Sequence, residues 1–430
     1  MKFGRSIGLL AALVSALCIG GLLSVTVTTK SYSESYPAVV CPPTIAGLNS
    51  QISLASKKTQ FQRLQNRTTK TAPVKVLRLP VNKDSLLFNT EGVTPVVWQS
   101  KASSWAGGAI CTGPSTSQWF VGGAADITTK GRLIIVNSGL SDAIVDVQSF
   151  TENGKQPVRT ITVVSKNYIV IPTDSLAPGD KYLTVHVAPR SGRVNAFMID
   201  EQSKGLRSLG GDLVNSASTP TKSLLIPAIP NQIIKNTKTL PHTLRVLSPG
   251  DVDASVTAEV LSADGVFVPV GLTSRTVNAG IVTEFQFTPK ITSTVLAIRI
   301  TSTEPVVAAI KSTVTVSGRK DFVWSTSAPE LVPLTIAISG LTPLVSFAGD
   351  QINVSLDVTM NNGKVIRKTI KGTDIATWRA PDAARSFTIT KVGPDTFAGA
   401  LVSSVNGYGY FPIAPGSLFT KIELPDSNIR

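Results

Sequence analysis

The stretch Ala143-Ile144-Val145-Asp146-Val147-Gln148-Ser149-Phe150-Thr151-Glu152-Asn153-Gly154 begins with alternating apolar and polar residues and ends in an Asn-Gly pair. A period of two places successive side chains on opposite faces of an extended chain. The run therefore predicts a half-buried β-strand, and Asn-Gly tolerates the positive φ of a tight hairpin turn. The pattern recurs twice. Ala254, Val256, Ala258 and Val260 alternate with Ser255, Thr257 and Glu259 before Asp264-Gly265, and Ile352, Val354, Leu356 and Val358 alternate with Asn353, Ser355 and Asp357 before Asn362-Gly363. Counted back from the Asn or Asp of the turn, positions −6, −8 and −10 are apolar in all three copies.

Each copy predicts further strands around this hairpin. A leading run precedes it (Ile134 to Val136, Leu244 to Leu247, Leu344 to Phe347), and returning strands follow the turn. An alternating strand comes next, with Leu183, Val185 and Val187 in the first copy, and a last apolar run closes each unit, as at Val194 to Ile199. Six or seven short strands per unit predict antiparallel β-sandwiches of immunoglobulin-like type in tandem, an all-β fold class. The turns lie 111 and 98 residues apart, well beyond the roughly 20–50 of a solenoid repeat. The reading is therefore beads on a string, each with its own core.

Length and composition agree. A chain of 430 residues exceeds one hydrophobic core and suits about three domains. Residues 31–217 form the first sandwich with a basic N-terminal extension, 218–328 the second and 329–430 the third. Ser-, Thr-, Asn- and Pro-containing linkers at 213–221 and 325–333 are short, which predicts an elongated rod. Leu54 to Leu64 is the one candidate for a short helix beyond the leader.

Residues 1–30 read as an address. Lys2 and Arg5 precede 22 uncharged residues, Ser6 to Val27, before Lys30. That length can span a bilayer as a signal anchor, placing the rest of the chain outside a cell membrane as a single-pass protein. A cleaved signal peptide has the same basic start and apolar middle and would make the protein secreted. Cys18 follows Leu17, where a lipoprotein signal needs a small residue. Beyond the leader only Cys41 and Cys111 remain, and an even count in an exported chain predicts a disulfide. A metal pair would need further ligands, and the whole chain has two histidines.

From Tyr36 to Lys83 there is no acidic residue, while Lys57, Lys58, Arg63 and Arg67 are among eight basic ones. This charge suits a solvated surface, and equally anionic lipid or an acidic wall polymer as partner. No interleaved aromatic pattern resembles a nucleic-acid module. Trp98, Trp105 and Trp119 are three of the five tryptophans. Trp105 and Trp119 are candidate glycan contacts, since an aromatic face stacks on the C–H face of a sugar; the competing reading packs them in the core beside the disulfide.

Cys41-Pro42, the Ala102 to Cys111 segment with Trp105, Trp119 followed by Gly122-Gly123, Asn137, and Gly210-x-Asp212 before Pro227 resemble a family of exported actinobacterial proteins of unknown function. The resemblance covers most of the exported chain. It implies a secreted or membrane-anchored β-rich protein with no assigned activity, often encoded near glycosyltransferase and sugar-phosphate genes. Pro43 stands where the family pattern leads one to expect glycine, and no functional residue carries over.

No catalytic set is visible. His186 alternates with Val185 and Val187 on the polar face of its strand, and His242 follows Pro241 at a strand start, neither with the local company of a Ser-His-Asp site. Asp251, Asp253 and Asp264 fall in turns, where capping competes with calcium binding as the explanation. The expectation is a non-enzymatic extracytoplasmic envelope protein, needing no cofactor, that presents binding surfaces to envelope proteins or wall glycan. The alternative is a carbohydrate-active enzyme, or a glycan-assembly accessory, with its site in loops of the first domain.

Overall fold

The computed structural model describes residues 32–35, 38–55, 58–66, 68–73, 76–89, 92–102, 104–234, 238–418 and 420–423. The leader, Lys57 and Arg67 lie outside these. Among the described residues no helix is long and apolar enough to cross a membrane. The chain divides into two units: Tyr36–Leu418, and the two chain ends together. In the second unit, Tyr32–Ser35 pairs antiparallel with Thr420–Glu423.

The larger unit begins with a layer of short strands. These are β1 (Val39–Cys41), β2 (Asn49–Ser53), β3 (Gln60–Arg63), β4 (Arg78–Val81), β5 (Leu86–Phe88), β6 (Val93–Lys101) and β7 (Trp105–Ile110). Gln60–Arg63 is thus extended, where the sequence offered a helix. Arg63 and Phe61 are flanked by glutamines and the strand pairs with β5, so cross-strand pairing decides its conformation.

The first copy consists of β8 (Gln118–Val121), β9 (Arg132–Asn137), β10 (Ala143–Thr151), β11 (Arg159–Val163), β12 (Asn167–Pro172), β13 (Thr184–Ser191), β14 (Asn195–Lys204) and β15 (Arg207–Val214). Its sheets run β8-β13-β10-β11 and β12-β9-β14-β15, antiparallel throughout. The second copy consists of β16 (Thr221–Pro230), β17 (His242–Leu247), β18 (Ala254–Ser262), β19 (Arg275–Val277), β20 (Thr283–Phe287), β21 (Val295–Val316) and β22 (Arg319–Thr326). It repeats the topology, except that β21 serves both sheets: its first half pairs with β16 and β18 and its second with β17 and β22.

The third copy fuses more. β23 (Leu334–Ala337), β24 (Leu344–Met360), β25 (Val365–Arg379), β26 (Ala384–Lys391), β27 (Phe397–Ser403) and β28 (Tyr408–Pro412) complete the chain. The two halves of β24 correspond to β9 and β10, and both pair with β25. The three alternating runs are β10, β18 and part of β24, each with apolar positions buried. They end in turns whose Gly154, Gly265 and Gly363 have φ of 104°, 117° and 88°, a region that only glycine enters without steric cost.

Each copy has its own core, drawn from the inner faces of its two sheets. A fourth core lies under the N-terminal layer. Strand β9 explains it: Leu133 and Ile135 face the first sandwich's core, whereas Ile134 and Val136 face Val39, Cys41, Phe88 and Cys111. A strand buried on both faces needs a continuous apolar run, which Leu133 to Val136 provides.

The copies are not a rod of beads. Strand β6 of the N-terminal layer adds in parallel to β23 of the third copy, with Thr335 opposite Val93 and Ala337 opposite Pro95. The Ser53 hydroxyl donates to the Ser339 carbonyl at 2.9 Å, and the Gly416 amide donates to Thr94 Oγ1 at 2.6 Å. Asn215, in the connection leaving the first copy, donates to the carbonyls of Gly108 and Tyr410, at 2.9 Å each. An uncovered sheet edge offers a row of unpaired donors and acceptors, and the apolar Val93 to Trp98 run supplies the strand that covers it. The N-terminal extension therefore ties the first copy to the third.

Candidate functional site

Closing strands from the copies meet at one junction. β15, β22 and β28 pack near β7, and glycines permit the close approach: a Cβ on Gly211 would lie 2.8 Å from the Trp105 ring, and one on Gly407 would lie 2.1 Å from the Ala106 nitrogen. Trp105 is fully buried here. That corrects its assignment as a glycan contact, because its ring face is occupied by a backbone. The disulfide between Cys41 and Cys111 lies in the adjoining core, both cysteines fully buried.

Ionisable groups concentrate between the first and second copies. Asp200 on β14, Asp212 on β15 and Asp321 on β22 are all buried. The Trp324 indole donates to Asp200 at 2.8 Å, the Trp324 and Leu213 amides donate to Asp212, and the Gly211 and Phe322 amides donate to Asp321. Burial pushes the Asp212 carboxyl well above its ordinary range and the Asp321 carboxyl up to about 7. The Lys311 ammonium lies 4.0 Å from the Phe322 ring centroid, and burial lowers its pKa. Arg245, 3% exposed, pairs with Glu284 at 2.6 Å and donates to the carbonyls of Gly123 and Leu183. Every one of these cations and carboxylates touches an element of the neighbouring copy or its own packing partner. The arrangement locks two sandwiches together and leaves no space for a reacting molecule.

A cleft of about 580 Å³ opens between the same two copies on another face. Register brings Trp119 of β8 opposite His186 of β13, and Gln148 of β10 opposite His186 on its other side. The Trp119 and His186 rings stack with centroids 4.0 Å apart and 9° between planes, and Phe150 backs the indole at 5.9 Å. His186 Nε2 lies 2.8 Å from the Ser117 hydroxyl, and burial lowers the imidazole pKa, keeping the ring neutral. Lys155, Asp146 and the 248–252 and Glu304-Pro305 segments of the second copy complete the walls. Asp146 is itself held by Arg190 at 2.6 Å and Thr160 at 2.7 Å.

Of the residues singled out from sequence, Trp119 lies in this cleft, although only 7% exposed, and Trp105 does not. Lys58 is exposed, and Arg63 is half-buried at a different cleft. Asp264 caps a loop: the amides and hydroxyls of Thr292 and Ser293 all donate to it, lowering its pKa to about 2. Asp253 likewise accepts from the Ala279 amide. His186, Gln148 and Lys155 are residues that sequence reasoning missed as a group, being 31 residues and more apart from one strand to the next.

Fold and cleft define an all-β, disulfide-bridged protein of tandem sandwiches. The chain belongs to a family of unknown function, DUF5719, whose profile matches residues 97–371. No curated protein matches it. Among solved structures, it is similar to the crystal structure of Thermotoga maritima 1070, with 16% identity over 26% of this chain and 95% of that one, at a TM-score of 0.19. It is also similar to the structure of infectious bursal disease virus Gx strain, with 11% identity over 93% and 81% of the chains, at a TM-score of 0.12. Scores this low carry no argument about fold or function.

Proposed function

We propose that this is a non-enzymatic extracytoplasmic envelope protein whose cleft between the first and second copies binds cell-wall glycan. The observation carrying the reading is the Trp119–His186 stack at that cleft, with amide and charged side chains beside it. A neutral, face-stacked imidazole next to Gln148 suits a sugar, which offers an apolar C–H face and a rim of hydroxyls. The buried disulfide agrees with an oxidising location, and the apolar Ser6 to Val27 stretch agrees with export. A single-pass anchor in the cell membrane would hold the protein beside its glycan, and envelope proteins are the competing partners.

The test is cosedimentation of the full chain with purified cell walls at low and high salt, alongside a Gln148→Ala, His186→Ala variant. Retention in high salt that falls at least tenfold in the variant, with no released sugar, is expected. Retention lost with salt alone would transfer attachment to the basic segment around Lys58, and sugar release would make the protein an enzyme. The enzymatic reading has one specific observation behind it, the 2.8 Å contact between Ser117 and His186. It requires that Ser117→Ala abolish product formation while retention persists.

A further inference from the structure

A second cleft, about 1040 Å³, lies where the N-terminal layer meets the third copy. Its walls come from β2, β4, the loop at Thr44–Leu48, the end of β6 and the turn holding Ser404 and Asn406. Three cations, Arg63, Arg78 and Lys83, share it with a single acid, Asp84. The charge is therefore opposite in balance to the Trp119 cleft, where Lys155 faces Asp146, Asp251 and Glu304.

Arg78 is placed with unusual constraint. Its stem lies over Gly340, where a Cβ would come 2.8 Å from the arginine Cδ, so the third copy provides a bare backbone for the side chain to rest on. Its Nε and Nη2 are buried without a hydrogen-bond partner among the described residues. Those two nitrogens form the edge of a guanidinium that grips a carboxylate or phosphate with parallel hydrogen bonds. Buried donors without partners are rare in folded proteins, and a ligand group is one of the standard explanations. Trp98, 7% exposed, lines the same cleft, as do the side chains of Gln51, Ser100, Ser404 and Asn406.

We propose that this cleft binds an acidic oligosaccharide, with a carboxylate of the ligand on the Nε–Nη2 edge of Arg78 and a sugar ring against Trp98. Arg63 and Lys83 meet further negative charge, and the amides and hydroxyls meet sugar hydroxyls. A turn of Arg78 about its terminal torsions presents that edge to the cleft it already lines. The proposal rests on the reading of the protein as a glycan binder, but it concerns different residues and a different cleft.

The experiment is calorimetric titration of the full chain, in a detergent without a sugar headgroup, with hexagalacturonate, with neutral maltohexaose and with linear polyphosphate. Binding of hexagalacturonate at least tenfold tighter than maltohexaose is expected. Arg78→Gln should weaken it at least tenfold and Arg63→Gln severalfold. Arg78→Lys, which keeps the charge and loses the fork, guards against a folding artefact: it should also bind at least fivefold more weakly at an unchanged melting temperature. Lys368→Gln on the exposed strand β25 should change nothing. Equal affinity for the neutral sugar, indifference to the Arg78 variants, or binding of polyphosphate alone would each overturn the proposal. If wall retention depends on Gln148 and His186 while hexagalacturonate fails to bind, this inference falls and the proposed function stands; the converse result does the reverse.

Discussion

Two buried residues set opposite pH slopes. His242 is 1% exposed, with Nδ1 at 2.9 Å from Ser312 Oγ and its ring stacked on Phe287, and burial lowers its pKa to about 4. The unfolded chain binds this proton from about pH 6.5 downward, while the folded state resists it. The contribution is therefore complete above pH 6.5 and lost as pH falls through about 4, a difference of roughly 3 kcal/mol. Denaturant titrations across that window should show the loss in the wild type, and His242→Gln should flatten it. Asp321 acts in the other sense. Its raised pKa means stability is complete below the ordinary carboxyl value and declines as pH rises through about 7. Asp321→Asn should gain on the wild type by about 1 kcal/mol per pH unit between pH 4 and 7; a constant difference would show that the carboxyl ionises normally. These residues carried a faint signal in sequence. Arg245 between Leu244 and Val246, and Lys311 directly after Ile310, interrupt apolar runs. Their partners are remote in the chain, Glu284 for Arg245 and Gln202 for Lys311, so nothing local could name them.

At the scale of the strand, the hairpins were the most legible feature. Alternation and Asn-Gly or Asp-Gly turns are local properties, and β10, β18 and β24 follow them. Fusion was not legible. Whether β24 continues from one sheet to the other or breaks, as β9 and β10 do, depends on how the sheets twist past each other. The glycines of β7, β15 and β28 were visible in sequence, but their reason is contact between strands far apart in the chain. Gly211→Ala tests that reason. With the Trp105 ring 2.8 Å from the added methyl, overpacking should cost about 1–3 kcal/mol, measured by chemical denaturation. A neutral result would mean that the junction is loosely packed. Gly154→Ala, with open space around its Cβ but φ of 104°, should lose about 1 kcal/mol through backbone strain alone.

The assembly of Tyr36–Leu418 was where sequence reasoning went furthest astray. Short linkers suggested beads in a row, because periodicity reports which face of a strand is buried and says nothing about what buries it. The segment Val93 to Trp98 reads as apolar whichever sheet it joins, and it joins that of the third copy. The same remoteness hid both clefts, since each gathers residues from two copies or from a copy and the N-terminal layer. The disulfide, by contrast, followed from counting. It closes a sequence separation of 70 residues, worth about 4 kcal/mol on the chain-entropy model. Reduction, or Cys41→Ala with Cys111→Ala, should lower the unfolding free energy by about that amount. Because the N-terminal layer also covers β9 and β23, the loss should be felt by Trp378 in the third copy as well as by Trp105. Fluorescence transitions that separate after reduction would show the layer to be a detachable cover.

The most direct measurement of closure is a cross-link. Val93 and Thr335 are partners on adjacent parallel strands, so their Cα atoms stand about 5 Å apart, within the span of a disulfide. Val93→Cys combined with Thr335→Cys should oxidise without catalyst to a bridged chain, seen as a faster-migrating band on a non-reducing gel and as a linked peptide pair by mass spectrometry. Failure of the pair to form, with the Cys41–Cys111 bridge intact and the fold retained, would contradict a third copy joined to the N-terminal layer and restore the extended string of domains.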